Sequence, residues 1–330
     1  MLFSSRHSSL ITTCAEHCRS NHSSLKILIV CSENSGKIAP FITEQAEALS
    51  KLGIETSFFT IKDKGWKGYL KNRKLLIKRI QEYKPELVHA HYGLSGLLAN
   101  LQRKVPVVTT YHGSDINHNA VYRFSKWSIR LSAYNIFVSK KNYDKANVKS
   151  KAAIIPCGVD TELFKPEDKS VSIIKMGFTE HEKLVLFAGA FDNPVKNPEL
   201  AQSVVTAIPD VKLLELKNYS REQVALLMNA VDACLLTSHS EGSPQFIKEA
   251  MACNCPIVSV DVGDVREMIQ NTDYCYVCGY DAQEIAGKLN EIFAKGERTN
   301  GRNEIIARQL DQMSVANQIL NIYKSVLKLE

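Results

Sequence analysis

Apolar runs that alternate with helical periodicities constrain the fold of this chain most. The run Lys26-Ile-Leu-Ile-Val-Cys31 is almost entirely apolar, which is typical of a strand buried on both faces. A polar turn containing Gly36 follows, and apolar residues then recur at helical spacing until Gly53. Further strands are predicted near Ile54, Leu87, Val107 and Ile136. This repeated strand–helix–strand pattern predicts a parallel sheet covered by helices.

A second series of the same kind follows a polar linker at 165–180. Its strands are predicted near Leu184, Val211, Ala233 and Pro256, and an amphipathic helix at roughly 304–329 ends the chain. The fold class is therefore α/β, with two Rossmann-like, doubly wound domains at 25–165 and 166–315 facing a central cleft. Sheets of this kind bind ligands at the carboxyl ends of their strands, so both domains are expected to contribute loops to the cleft.

Composition narrows the class of protein. The 330 residues suffice for two domains, and the net charge of +6 is modest. No run approaches the roughly 20 apolar residues of a membrane span. We read 1–24 as a disordered extension or a start-site artefact.

The cysteine count is odd, nine, which favours reduced thiols in a cytoplasmic protein. Two short Cys/His groups lack the partner half of a zinc site, so no metal is expected: Cys14, His17, Cys18 and His22; Cys275 and Cys278.

Two glutamates follow a predicted strand in the segment Glu241-Gly-Ser-Pro-Gln-Phe-Ile-Lys-Glu249. The first lies in a loop and the second on the following helix. A loop-to-helix corner leaves backbone N–H groups unpaired and favours anions such as phosphate, and here it includes Ser243 and Pro244. The flanking carboxylates are better suited to hydroxyl groups. A ligand with central phosphates and hydroxyl-rich rings at both ends is a sugar nucleotide.

With these segments the chain resembles the family 4 glycosyltransferases, which have the GT-B fold. The resemblance covers about 25–330 and rests on five segments in order: the Gly36 turn with Phe41 and Gln45; Pro85 to His91; Tyr111 to Asp115; Ile155 to Asp160; Glu241 to Ser259. It implies transfer of a sugar from a nucleotide donor with retention and without a metal or other cofactor. It also implies that the last helix, 316–330, crosses back to the first domain.

The resemblance assigns roles to individual residues. Family members stabilise the leaving diphosphate with an arginine shortly after a glycine and a lysine a few residues later. Gly189 and Lys196 match this pattern, but Ala190 occupies the arginine position. A charge-assisted hydrogen bond contributes about 1.5–3 kcal/mol, so either another cation replaces the arginine or the phosphate depends on Lys196 and the helix N-terminus.

The resemblance further implies that Glu249 binds the donor ribose and that Glu241 binds hydroxyls of the donor sugar. It places His112 near the reacting carbon. The simpler interpretation of each is an ordinary surface or loop residue. Gly36 would let the backbone approach phosphate or acceptor closely, although any tight turn favours glycine. No general base is identified, and a front-face mechanism, in which the leaving phosphate takes the acceptor proton, needs none.

Three further polar residues lie near the same predicted strand ends. Asp115 could belong to the site, but it follows Ser114 at a predicted helix start, where a capping residue is common. For His89 and His91, which flank the end of the third strand, a packing role is favoured.

The segment 62–84 contains nine lysines or arginines, and its apolar residues recur near helical spacing. Such a helix can lie on an anionic membrane surface, or it can pack on its own sheet with a solvated basic rim. Nucleic acid binding is disfavoured because no recognition motif is present.

We expect a cytoplasmic enzyme, peripheral on the inner membrane face if the basic segment meets lipid, that uses a UDP- or GDP-sugar and a saccharide or lipid-linked acceptor in cell-surface polysaccharide synthesis. The alternatives are a nucleotide-sugar epimerase of the same architecture and a non-catalytic sugar-nucleotide-binding protein.

Overall fold

The structure is a computed structural model that describes residues 24–179 and 181–329. Residues 1–23, which hold the first Cys/His group and most of the expected N-terminal extension, lie outside the described residues.

The N-terminal half forms a six-stranded parallel sheet in the order β2-β1-β3-β4-β5-β6. Its strands are β1 Lys26–Ser32, β2 Glu55–Ile61, β3 Leu87–His91, β4 Val107–Tyr111, β5 Tyr134–Phe137 and β6 Ala152–Ile154. The central strands β3 and β4 are buried along their whole length, as their apolar runs predict. The helices between the strands are α1 Pro40–Lys51, α2 Gly65–Lys71, α3 Arg73–Tyr83, α4 Gly93–Asn100, α5 Ser114–Asn117, α6 Asn119–Leu131 and α7 Lys140–Ala146.

The C-terminal half forms a five-stranded parallel sheet in the order β11-β10-β9-β7-β8. Its strands are β7 Lys183–Phe187, β8 Val211–Glu215, β9 Ala233–Leu236, β10 Ile257–Val260 and β11 Cys275–Cys278. Its helices are α8 Lys169–Met176, α9 Pro198–Thr206, α10 Arg221–Ala230, α11 Gln245–Ala252, α12 Val265–Ile269, α13 Ala282–Lys295, α14 Gly301–Ala307 and α15 Gln312–Leu327. The predicted α/β class with two doubly wound sheets is confirmed.

Several elements differ from the sequence-based expectation. The strands β6 and β11 were not predicted, because each is short and partly exposed. Cys275 and Cys278 belong to β11. The segment 62–84 is two helices rather than one, since the chain turns at Asn72, which caps α2 and begins α3. The final helix is also two helices, because Gln309 between α14 and α15 has a positive φ of 54° that no continuous helix accommodates.

The last helix joins the two halves. Val315, Ala316, Ile319 and Tyr323 of α15 belong to the hydrophobic core under α1 and β1. The segment that leads into the second domain pairs with the segment that leads back from it, since the Gln312 N–H donates a hydrogen bond of 2.8 Å to the Val159 carbonyl. The N-terminal domain is therefore completed by the end of the chain.

Strand order fixes where a ligand can bind. The direction in which successive strands are added reverses once in each parallel sheet, between β1 and β3 in the first domain and between β7 and β9 in the second. Loops that leave such a switch point diverge to opposite faces of the sheet, and a crevice opens between them. The loops after β7 and β9 include Lys196 and Glu241.

Candidate active site

The switch point of the C-terminal domain brings two sequence-predicted residues together. Lys196 follows β7 and Glu241 follows β9, and the Lys196 ammonium donates a hydrogen bond to Glu241 Oε1 at 2.6 Å. Their side chains are 25% and 16% exposed, so the pair faces a cavity that solvent reaches. Residues 45 positions apart thus form one charged unit.

Position 189 has to be glycine because the side chain of Lys196 packs against its backbone. A Cβ at this position would lie 2.6 Å from Lys196 Cγ, so the lysine stem occupies the space that any other residue would fill. Thr237 fixes the far end of the same loop, because its hydroxyl donates to the carbonyls of Lys196 and Asn197 at 2.9 Å. Ala190 lies on this loop and supplies no charge.

Glu249 lies in the second turn of α11, and its side chain is 4% exposed. Its Oε1 accepts a hydrogen bond from Arg221 at 2.6 Å. The same guanidinium donates to Glu44 of α1 at 2.7 Å, so Arg221 links the two domains. Arg221 also lines a cavity with Lys196 and Glu249. Arg221 and Glu44 were not among the residues predicted from the sequence, since no local pattern relates positions so far apart along the chain.

The first turn of α11 faces the same space. Pro244 is the N-cap residue of α11, with extended backbone. No side chain caps this turn; the Ile247 N–H donates to the Pro244 carbonyl at 3.2 Å, and the N–H groups of Gln245 and Phe246 have no partner among the described residues and are open to a ligand. Ser243 Oγ and Gln245 Oε1 are buried without a hydrogen-bond partner among the described residues. Buried polar atoms of this kind are normally satisfied, so these two are suited to a polar ligand.

His112 lies directly after β4, at the edge of the cleft. Its Nε2 is 3.0 Å from His91 Nδ1, and its Nδ1 is 3.7 Å from Cys157 Sγ. Burial lowers the pKa of His112 to about 3. The imidazole is therefore neutral at pH 7 and acts as a hydrogen-bonding group rather than a cation.

Asp115 holds the His112 loop in place. Its Oδ1 accepts hydrogen bonds from the backbone N–H groups of His112 and Gly113, each at 3.0 Å, and its Oδ2 accepts from Gly93 at 2.9 Å. Burial raises the pKa of Asp115 to about 6, whereas the three N–H donors favour the charged form. Asp115 therefore does more than cap a helix.

His89 is a packing residue. It is fully buried between Tyr323, whose hydroxyl is 2.5 Å from Nδ1, and Thr110, whose hydroxyl is 2.8 Å from Nε2.

The two domains touch through glycine backbones beside these residues. Gly113 has a φ of +110°, and a Cβ on it would lie 2.5 Å from Gly242 Cα. A Cβ on Gly242 would in turn lie well inside 3.0 Å of the His112 carbonyl oxygen. The absence of side chains at both positions thus allows the His112 loop to rest on the Glu241 loop. Asn117 adds a hydrogen bond of 3.3 Å to the Glu241 carbonyl.

Three cavities follow the cleft. One of about 380 Å³ lies between the domains and is lined by His112, Glu241, Ser243 and Gln245, among others. One of about 240 Å³ continues from it past Glu241 to Lys196, Arg221 and Glu249. A third of about 410 Å³ lies at the switch point of the N-terminal domain and is lined by residues from Ser32 to Val121. The larger two are of the size of ligand pockets.

Gly36 lies apart from the other candidate residues. It occupies an exposed turn with a φ of +89° and lines none of these three cavities. Its role in donor binding stays a prediction.

Comparison with known proteins gives a consistent result. The family described as Glycosyltransferase Family 4 matches residues 29–163, and the family described as Glycosyl transferases group 1 matches residues 211–308. The chain is 22% identical to TuaC of Bacillus subtilis (strain 168), a proposed teichuronic acid biosynthesis glycosyltransferase, over 74% of this chain and 72% of that one. It is 24% identical to the D-inositol 3-phosphate glycosyltransferase of Mycobacterium marinum, over 66% of this chain but only 57% of that one.

Solved structures share the architecture. A sucrose-phosphate synthase from Thermosynechococcus elongatus superposes with a TM-score of 0.81 at 17% identity, covering 92% of this chain and 99% of that one. Anabaena Alr3699/HepE, solved in complex with UDP-glucose, gives a TM-score of 0.71 at 18% identity and covers 91% and 99% of the two chains. At these identities the likeness shows the GT-B fold.

Proposed function

This chain is a family 4 glycosyltransferase of the GT-B fold, and on that premise we propose that it uses a nucleotide-sugar donor, retains the anomeric configuration and needs no metal ion. The observation that carries the proposal is the arrangement of Lys196, Glu241, Glu249 and the open first turn of α11 around one pair of connected cavities. A UDP-sugar or GDP-sugar has a charge and hydroxyl distribution that complements this set.

Each group has a distinct task in the proposed reaction. The first turn of α11 and Lys196 stabilise the negative charge that develops on the departing diphosphate, without the cost of reorganising solvent. Glu249, freed in part from Arg221, accepts hydrogen bonds from ribose hydroxyls. Glu241 orients Lys196 and accepts from hydroxyls of the transferred sugar.

Arg221 supplies the second cation of the donor cavity. It replaces the arginine that family members have at the position of Ala190. Its position supports this assignment, because it lines the 240 Å³ cavity together with Lys196. Its charge is shared with Glu44 and Glu249, so a donor has to compete with two carboxylates for it.

The bond changes need no protein base. The acceptor hydroxyl oxygen forms a bond with the anomeric carbon while the bond between that carbon and the diphosphate oxygen breaks, and the diphosphate oxygen takes the hydroxyl proton. His112 is a poor base at pH 7, given its lowered pKa, and instead hydrogen-bonds to the sugar beside the reacting carbon.

The acceptor is a saccharide or a lipid-linked saccharide bound by the N-terminal domain. We place the reaction in cell-surface polysaccharide synthesis at the cytoplasmic face of the membrane. The similarity to TuaC supports this setting. None of the helices in the described part of the chain is both long and apolar enough to span a bilayer.

Thermal-shift screening against UDP-, GDP-, ADP- and CMP-sugars tests the donor. A ligand at 100 times its dissociation constant adds about 2.7 kcal/mol of stability. The increase in melting temperature should appear with the sugars of one nucleotide and should vanish in Lys196→Ala. The matched control is Lys212→Ala. It also removes a lysine from an ion pair, here with Glu182, but Lys212 lies near the N-terminal end of β8, away from the loops that form the cleft.

Turnover separates the alternatives. Release of nucleoside diphosphate in the presence of acceptor and EDTA, with an unchanged anomeric configuration by NMR, is the expected result. Conversion of the donor to an epimer without acceptor would identify an epimerase. Donor binding with no turnover on any acceptor would identify a non-catalytic binding protein.

A further inference from the structure

Large apolar side chains point outward from two neighbouring helices of the N-terminal domain. On α2, Trp66 and Leu70 are 47% and 41% exposed, and on α6, Trp127 and Leu131 are 56% and 38% exposed. The helices are adjacent, because the rings of Trp66 and Phe124 stack with centroids 6.4 Å apart. We call these five residues and the basic residues among them the aromatic–basic surface.

The packing of α6 explains why its aromatic residues face solvent. The buried residues of this helix are Ser125 and Ser128. They rest on Gly93 and Gly96 of α4, where an added Cβ would lie within 3.0 Å of each serine. The helix thus packs on its own domain through these serines and through the partly buried Tyr122 and Ile129, while Trp127 and Leu131 stay exposed.

The charged side chains of these two helices are all of one sign. The helices α2 and α6 contribute Lys67, Lys71, Arg123, Lys126 and Arg130, and neither contains an acidic residue. All five are exposed, and none forms an ion pair with any residue that the structure describes.

The basic groups lie beside the aromatic rings. Lys67 is 5.7 Å from the Trp66 ring centroid, and Arg130 is 5.4 Å from that of Trp127. Tryptophan beside lysine or arginine is the combination that meets the interface of an anionic bilayer.

We propose that the aromatic–basic surface docks the protein on an anionic lipid bilayer. A second copy of this chain suits it poorly, because a twofold contact through this patch would bring the five basic residues of one copy against the five of the other. The surface differs from the single helix at 62–84 expected from the sequence. The face of α3 that holds Leu76 and Ile80 is buried against the sheet, and α6 provides the larger part.

Docking in this way bears on the acceptor. The 410 Å³ cavity is lined by Tyr69 of α2 and Val121 of α6, so it lies between the two docking helices. It shares Tyr92, Ser114 and His118 with the cavity that contains His112. If the proposed transfer reaction is correct, a lipid-linked acceptor enters here from the bilayer and reaches the donor. This consequence rests on the proposed function, whereas the docking itself does not.

Intrinsic fluorescence tests the docking directly, because both tryptophans of the chain lie on this surface. The full-length protein is mixed with phosphatidylcholine vesicles that contain no or about one third phosphatidylglycerol. The emission should shift to the blue only with the anionic vesicles, be quenched by brominated lipid and return at high salt. Neither donor nor acceptor is present, so failure of the transferase proposal would leave this result unchanged.

Charge variants measure the contribution of α6. Each basic residue near an anionic surface contributes about fivefold in partitioning, so Arg123→Gln/Lys126→Gln should bind about 30-fold more weakly in vesicle sedimentation. The matched control is Lys175→Gln/Lys295→Gln, which removes the same charge from exposed positions of the C-terminal domain. It should bind as the unmodified protein does.

The outcomes are exclusive. Failure to sediment with anionic vesicles would overturn the proposal, as would sedimentation without a change in tryptophan emission, since another surface would then be responsible. A blue shift that appears with protein concentration alone would show that a second copy covers the surface. Equal binding of the two double variants would also refute it.

Discussion

Substituting Gly242 with alanine tests whether the contact between the two domains matters for catalysis. Gly242 lies in the Glu241 loop of the C-terminal domain, directly against the carbonyl of His112 in the N-terminal domain. Its φ is not among the positive values of the described residues, so alanine causes no backbone strain of its own. The effect of the added methyl group is therefore steric.

The size of the effect follows from the geometry. Ordinary Cβ contacts begin near 3.4 Å, and the added Cβ would lie well inside 3.0 Å of the His112 carbonyl oxygen. The two loops must separate by about 1 Å, because both neighbours are backbone atoms that cannot rotate away. A displacement of about 1 Å between reacting groups can lower the rate about 100-fold.

Donor binding and turnover should respond differently. Most of the donor-binding residues lie in the C-terminal domain, so the thermal shift with the nucleotide sugar should stay within about 1 °C of the unmodified protein, while kcat falls about 100-fold. Gly287→Ala is the control, since nothing lies within 4 Å of its added Cβ in α13. It should retain activity and gain about 0.5–1 kcal/mol of stability from helix propensity.

Retention of kcat within about threefold in folded Gly242→Ala would refute the reasoning. It would show that the reacting conformation does not need the His112 and Glu241 loops in contact. Loss of donor binding in this variant would equally contradict it, because the displacement should leave the phosphate site intact.

Three further predictions concern stability and are measured by urea unfolding. Tyr323→Phe should lower the free energy of unfolding by about 1–2 kcal/mol, because His89 Nδ1 loses its hydroxyl partner and keeps only the longer contact of 3.4 Å with Gln45. The control Tyr134→Phe removes a hydroxyl without a described hydrogen bond and should cost less than about 0.5 kcal/mol. Burial lowers the pKa of His89 to about 3 from about 6.5 in the unfolded chain, so the unfolded state binds the proton more tightly. His89 and His112, whose pKa is also about 3, should each contribute a loss of about 1.5–2 kcal/mol of stability between pH 6.5 and 5, offset in part by Asp115, whose raised pKa acts in the opposite direction; an unfolding midpoint that does not fall would contradict this. Arg221→Met should lower the free energy of unfolding by about 2–3 kcal/mol, less than the loss of a fully buried pair, because Arg221 is 27% exposed. Adding Glu44→Gln to this variant should restore part of the lost stability, and losses that simply add would exclude coupling between the two residues.

The sequence determined the fold because the responsible signal is local. Continuous apolar runs such as Lys26–Cys31 are typical of strands buried on both faces, and parallel strands need long crossover connections, which are usually helices. The residues between Glu241 and Glu249 were identified for a related reason, since a strand, a loop and a helix start are adjacent in the chain. Short, half-exposed strands such as β11 carry no such pattern and were missed.

Tertiary structure decided the partners of those residues. Lys196 pairs with Glu241 because β7 and β9 flank the switch point of their sheet, and Arg221 reaches Glu44 because the last helix closes the two domains on each other. Strand order and domain contact depend on packing between segments that are distant in sequence, which no local periodicity encodes. For the same reason, the basic character of 62–84 was visible in the sequence, while the outward aromatic face of α6 depends on how closely Ser125 and Ser128 approach α4.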